Sequence, residues 1–243
     1  MPRSSDEASS ANSTRRRGRL AAAALATGAL AVLAALVTSA GAATSSHTTI
    51  VLGQTGSPPN PSCPGLPCQA VGSVTGFQVN NGQLKLPFNA PRSGKITDWT
   101  LTLSQPTAKQ RSFFNTFFGT PPEARLAILR RVPRTSPPRY SLQRQGAVKV
   151  LSPYLGQTVK FGSSLPVERG EIVGLTVPTW APAFAQGLAS NNAWRASRAP
   201  GKCTNATDVR QGQPQTRIGR RATYGCLYNT ARLLYTATLT EDG

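Results

Sequence analysis

Four runs in this chain alternate apolar with small or polar side chains at a period of two, and turn signals separate them. In VGSVTGFQV, the residues Val71, Ser73, Thr75, Phe77 and Val79 share a face. In GKITDWTLTL, Thr97, Trp99, Leu101 and Leu103 line one side, with Thr100 and Thr102 opposite. GEIVGLTV groups Val173, Leu175 and Val177, and ARLLYTATL groups Ala231, Leu233, Tyr235, Ala237 and Leu239. Successive strand residues point to opposite faces, so each run puts one face in a core and the other in water. Asn81-Gly82, Pro137-Pro138 and Arg169-Gly170 mark turns between such runs. With 22 glycines, 20 prolines and 15% charged residues, long charged helices have little room. The expected fold is all-β: an antiparallel β-sandwich, jelly-roll-like, with a short helical insertion around residues 112–119. Trp99, on a clear alternating run, is expected in the core.

The insertion is the stretch SFFNTFFGTPP. Phe113, Phe114, Phe117 and Phe118 fall at i, i+1, i+4 and i+5, which is one face of a short helix, with Ser112 as a candidate N-cap and Gly119 as a stop. Pro121-Pro122 then breaks the chain, and EARLAILRRV is read as a central strand. Capping one end of the sandwich would bury the four phenylalanines. The competing role is an exposed interaction patch for a partner or for self-assembly.

Export is expected from the first 43 residues, a polar lead-in followed by a signal peptide. Arg15, Arg16, Arg17 and Arg19 form a positive flank, Leu20 to Val37 carries no charge, and Ala40-Gly41-Ala42 offers a signal peptidase small side chains. The alternative is an uncleaved transmembrane anchor with the domain outside. Residues 44–62 read as a flexible Ser/Thr/Pro linker, and residues 63–240 as one domain. The four cysteines, Cys63, Cys68, Cys203 and Cys226, all follow the leader. An oxidising compartment would pair them, and Cys63–Cys68 with Cys203–Cys226 is the expected pairing, because each closes a local loop.

The succession PFNAPRSGKITDWTLTL, RLAILRR, LPVERGEIVGLTVP and ARLLYTATL resembles uncharacterised secreted β-sandwich proteins of high-GC actinobacteria. The resemblance spans most of residues 70 to 240. It implies an exported jelly-roll-like domain and carries no active-site residue across.

Catalytic chemistry has few residues to work with. The one histidine, His47, precedes the domain, so neither a histidine-based triad nor a zinc site with these cysteines is expected. No metal or cofactor is expected. A glycoside hydrolase needs two facing carboxylates. Candidates are Asp98, Glu123, Glu168, Glu171 and Asp208, with Glu171 the foremost.

Binding is the better expectation. From Thr44 onward 16 arginines and 6 lysines face 7 acids, a bias that attracts polyanions and that GC-rich codon usage also produces. Trp180 and Trp194, read as loop or loop-edge residues, could stack on sugars, with Arg195 and Arg198 meeting anionic substituents. Arg217, Arg220 and Arg221 before Tyr224 and Tyr228 could hold single-stranded nucleic acid, but the extracellular location argues against that partner. The expected function is therefore a non-catalytic, envelope-associated protein binding a glycan or anionic wall polymer.

Overall fold

The computed structural model describes residues 48–241. The predicted leader and His47 lie outside the described residues. The chain runs through β1 (Thr49–Leu52), β2 (Val71–Asn81), β3 (Leu84–Lys85), β4 (Gly94–Thr102), α1 (Ala108–Phe118), β5 (Glu123–Val132), β6 (Arg139–Gln145) and β7 (Lys149–Val150). It continues through β8 (Thr158–Val167), β9 (Ile172–Ala181), β10 (Phe184–Ala185), β11 (Asn192–Ala196) and α2 (Ala206–Arg210). The closing strands are β12 (Arg221–Thr223), β13 (Cys226–Asn229), β14 (Arg232–Leu233) and β15 (Tyr235–Glu241).

These strands build an antiparallel β-sandwich. The smaller sheet has the order β1-β15-β4-β8, and the larger runs β12-β6-β5-β9-β2-β11-β13. Thr49–Leu52, inside the stretch expected to be linker, is thus an edge strand, paired to β15 from Thr49↔Thr240 to Leu52↔Ala237. The larger sheet curls. Phe77 on β2 and Tyr140 on β6 are three strands apart, about 14 Å in a flat sheet, yet their ring centroids lie 5.1 Å apart.

In the closing run Ala231, Leu233, Tyr235, Ala237 and Leu239 are all buried as expected, but Arg232 and Leu234 on the other face are buried too, so the alternation in burial begins only at Tyr235. Tyr235 ties the layers together: its ring stacks on Phe88 at 4.0 Å, and its hydroxyl donates to the Val173 carbonyl at 2.9 Å. Trp99 is buried against Phe161. EARLAILRRV is the strand β5.

Two runs depart from simple alternation because each contains a bulge. On β4 the register against both neighbours shifts at Thr97. The extra residue resets the phase, so Ile96 and not Thr97 joins Trp99, Leu101 and Leu103 in the core. On β2 the register against β9 shifts between Gly72 and Val74, where Ser73 adopts φ 46°. No face of β2 meets water from Val71 to Gln78, since all eight residues are buried. The outer face of the larger sheet is covered by residues 197–225. The Gln215 amide donates to Thr75 Oγ1 at 2.9 Å, and Tyr224 lies against Phe77 and Tyr140.

Both expected disulfides are present, Cys63–Cys68 and Cys203–Cys226. The second pins the covering segment to β13. Paired cysteines of this kind fit an oxidising environment. Among the described residues no helix is long and apolar enough to cross a membrane.

Candidate functional site

The aromatic–arginine constellation does not form a surface. Trp180 lies on β9 and is 1% exposed; Trp194 lies on β11 and is 3% exposed. Trp180 is enclosed by Phe114, at 5.1 Å between ring centroids, and its indole N–H donates to Asn115 Oδ1. Trp194 stacks on Tyr228 at 4.6 Å and enters space that only a glycine leaves open: a Cβ on Gly76 would lie 2.8 Å from the ring. Neither ring offers a face to a sugar, so stacking by these tryptophans is corrected to core packing. Arg198 is buried as well, donating to the Gly72 carbonyl at 2.7 Å and to the Tyr228 hydroxyl at 3.1 Å. Arg195 donates to the Tyr224 carbonyl at 2.9 Å, and burial is the main cause lowering its pKa. Both arginines staple the covering segment to the sheet. Tyr224 is fully buried, which removes it from the basic–aromatic cluster proposed around Arg217, Arg220 and Arg221.

The phenylalanine helix is half core and half surface. It starts earlier than Ser112: Thr107 is the N-cap, and its side chain exchanges capping-box bonds with Gln110. Gly119 ends it, at φ 95°. Phe114 packs on Trp180 and Cys63, and Phe118 fills the space above Gly72. Phe113 is 59% exposed and stacks on Phe117 with ring centroids 5.6 Å apart.

Of the acids named for hydrolysis, Asp98, Glu168, Glu171 and Asp208 are held in ion pairs. Glu171 is buried, accepts from Arg130 Nη2 at 3.0 Å and from Arg144 Nη2, and takes the Glu168 amide at 2.8 Å. A carboxylate so engaged locks the turn into β9 to β5 and β6. Asp208 pairs with Lys202 at 2.7 Å. Among the described residues no three His, Cys, Asp or Glu side chains gather at one point.

The surface that does converge lies on the outer face of the smaller sheet. A groove of about 460 Å³ runs over β15, β4 and β8, walled on one side by residues 53–58. Its floor carries Thr236 and Thr238 from β15, Thr100 and Thr102 from β4, and Thr158 from β8. Threonine suits these positions because its branched Cβ favours extended backbone while Oγ1 points out of the sheet. The register sets Thr236 opposite Thr100, and Thr100 opposite Lys160, in one row across three strands. Rows of this kind repeat the inter-strand spacing of about 4.8 Å. Thr102 and Thr158 share a hydrogen bond at 3.1 Å, whereas the hydroxyls of Thr100 and Thr236 have no partner among the described residues.

Three charges border these hydroxyls. Asp98 accepts from Thr238 Oγ1 at 2.6 Å and pairs with Lys160 at 3.3 Å. Arg232 lines the same groove and donates through Nη1 to Thr55 Oγ1 at 3.0 Å. A hydroxyl both donates and accepts, so the floor offers both kinds of hydrogen-bonding group. Among the described residues Asp98 is the one carboxylate lining the groove, and Thr238 and Lys160 already engage it. Sequence inspection took Thr100 and Thr102 only as the watered face of a strand. The signal for more was the recurrence of outward threonines on strands distant in sequence, which becomes a site only once the strand order is known. Compared with known protein families, with curated proteins and with solved structures, this chain matches none of them.

Proposed function

We propose that this chain is an exported, non-catalytic sugar-binding protein of the cell envelope, and that the threonine groove holds the glycan. The observation that carries the reading is the pair of facing hydroxyls, Thr100 and Thr236, without partners among the described residues and bordered by Asp98, Lys160 and Arg232 in one groove of about 460 Å³. That volume falls in the range of about 300–1,000 Å³ typical of small-ligand sites. Two disulfides and the signal-like leader support a location outside the cytoplasm, and the surplus of arginine over acids favours an anionic envelope. Glycan-array binding tests the reading directly. The expected result is binding that Thr100→Val with Thr236→Val abolishes while the melting temperature holds, because a valine pair keeps shape and strand preference but removes both hydroxyls. Unchanged binding by that double variant overturns it.

A second reading rests on Phe113 and Phe117, whose stacked rings leave Phe113 largely in solvent. An exposed aromatic pair suits assembly with a second copy or a partner. Light scattering on the wild type and on Phe113→Ser with Phe117→Ser decides it. An oligomer that the double variant dissolves supports assembly, and a wild-type monomer at every concentration removes it.

A further inference from the structure

Arg232 is a buried cation that meets no anion among the described residues. It is 8% exposed and lines the groove. Its Nη1 is used by Thr55, its Nε is buried without a hydrogen-bond partner, and its Nη2 has none among the described residues. Among the described residues no carboxylate pairs with it. Asp98 is paired with Lys160, Glu168 and Glu171 with Arg130 and Arg144, Asp208 with Lys202, and Glu241 with Arg92. Glu123 acts on Arg125. Burial lowers the Arg232 pKa, and no acid offsets that effect. Proteins normally pair a guanidinium this deeply placed, because the loss of hydration is otherwise uncompensated.

The missing anion has a recognisable chemistry. A guanidinium presents planar N–H donors that match the two oxygens of a carboxylate. Arg232 and Lys160 against Asp98 leave one net positive charge in the groove, so the complement is one negative charge per bound segment. A polymer charged at every unit would bring further anions against Asp98. The remaining floor, with its free hydroxyls on Thr100 and Thr236, suits uncharged sugar units beside the acidic one. Building on the glycan reading above, we propose that the groove selects a carboxylate-bearing sugar, a uronic acid flanked by neutral sugars, and that Arg232 binds the carboxylate.

The test uses uronic-acid oligosaccharides and the same oligosaccharides after chemical reduction of the carboxyl to an alcohol, which removes charge and keeps the sugar framework. Titration calorimetry at physiological salt should give the wild type a preference for the acidic member of each pair of roughly tenfold or more, as expected of a charge-assisted hydrogen bond. Arg232→Gln should bring the two affinities together, and Arg232→Lys should keep part of the preference. Arg210→Gln removes an equal charge from exposed α2 and should keep all of it. Equal wild-type affinity for both members overturns the carboxylate assignment while leaving the glycan reading in place. Binding of neither member overturns both. Should Arg232→Gln fail to fold, Arg232→Lys decides the assignment, since a preference that this variant leaves undiminished overturns it.

Discussion

The indole N–H of Trp180 donates to Asn115 Oδ1 at 2.9 Å, joining the middle of α1 to the end of β9. That bond, with Phe114 packed on the same indole, makes the helix part of the fold. Phe114→Ala should therefore cost about 3–5 kcal/mol, the usual loss for a deeply buried phenylalanine. Phe113→Ser, one residue away and mostly in solvent, should stay within about 0.5 kcal/mol. Urea unfolding of the two variants checks the contrast, and equal losses would contradict the assignment of their environments.

Glu171 joins three elements through one carboxylate. Glu171→Gln keeps the shape and removes the charge that Arg130 and Arg144 face. Breaking a buried pair in this way costs about 3–5 kcal/mol. The lower end is expected here, because Arg130 is half-exposed and water can screen it. Chemical denaturation should show the loss, while binding at the distant threonine groove should be unchanged in the folded fraction.

The two disulfides should differ in worth. Chain-entropy arguments assign about 2 kcal/mol to the short loop closed by Cys63–Cys68 and about 3 kcal/mol to the longer Cys203–Cys226 loop. The longer one also holds the segment that covers β2 and β9. Replacing Cys203 and Cys226 by serine should speed hydrogen exchange at Thr75 and Gln215, a local opening that the Cys63, Cys68 double variant should not produce.

Alkali should unfold the protein. Burial raises the phenols of Tyr224 and Tyr235 well above their ordinary value of 10.0. Both donate their proton in the fold, to Gln215 Oε1 and to the Val173 carbonyl. Above pH 10 the unfolded chain gives up these protons and the folded one keeps them, so stability is full below pH 10 and falls as pH rises. The slope approaches about 2.7 kcal/mol per pH unit for two such groups. Tyrosinate absorbance and loss of the circular dichroism signal should then appear together; ionisation of all the tyrosines well before unfolding would contradict it.

Much of the sandwich was legible because burial and period two coincide on β15 and most of β4. The disulfide pairs were legible from loop length, and the helix from four phenylalanines at helical spacing. What escaped was nonlocal. Thr97 and Ser73 carry no local mark of a bulge, yet each shifts the phase of its strand. Trp194 reads as a loop residue between NNA and RASR until Gly76 and Tyr228 are seen to enclose it. The groove depends on three strands whose sequence neighbours say nothing of one another, and the lack of an acid beside Arg232 among the described residues can be recognised only from the fold.

β15 is the last strand in the described chain, yet it occupies an interior position, with β1 on one side and β4 on the other. A polypeptide emerging from a translocation channel N-terminus first would present β1 and β4 long before the strand that joins them. The smaller layer, and the groove upon it, would then assemble as one late event, and a chain ending before Tyr235 would possess every threonine of β4 and β8 but no finished groove floor.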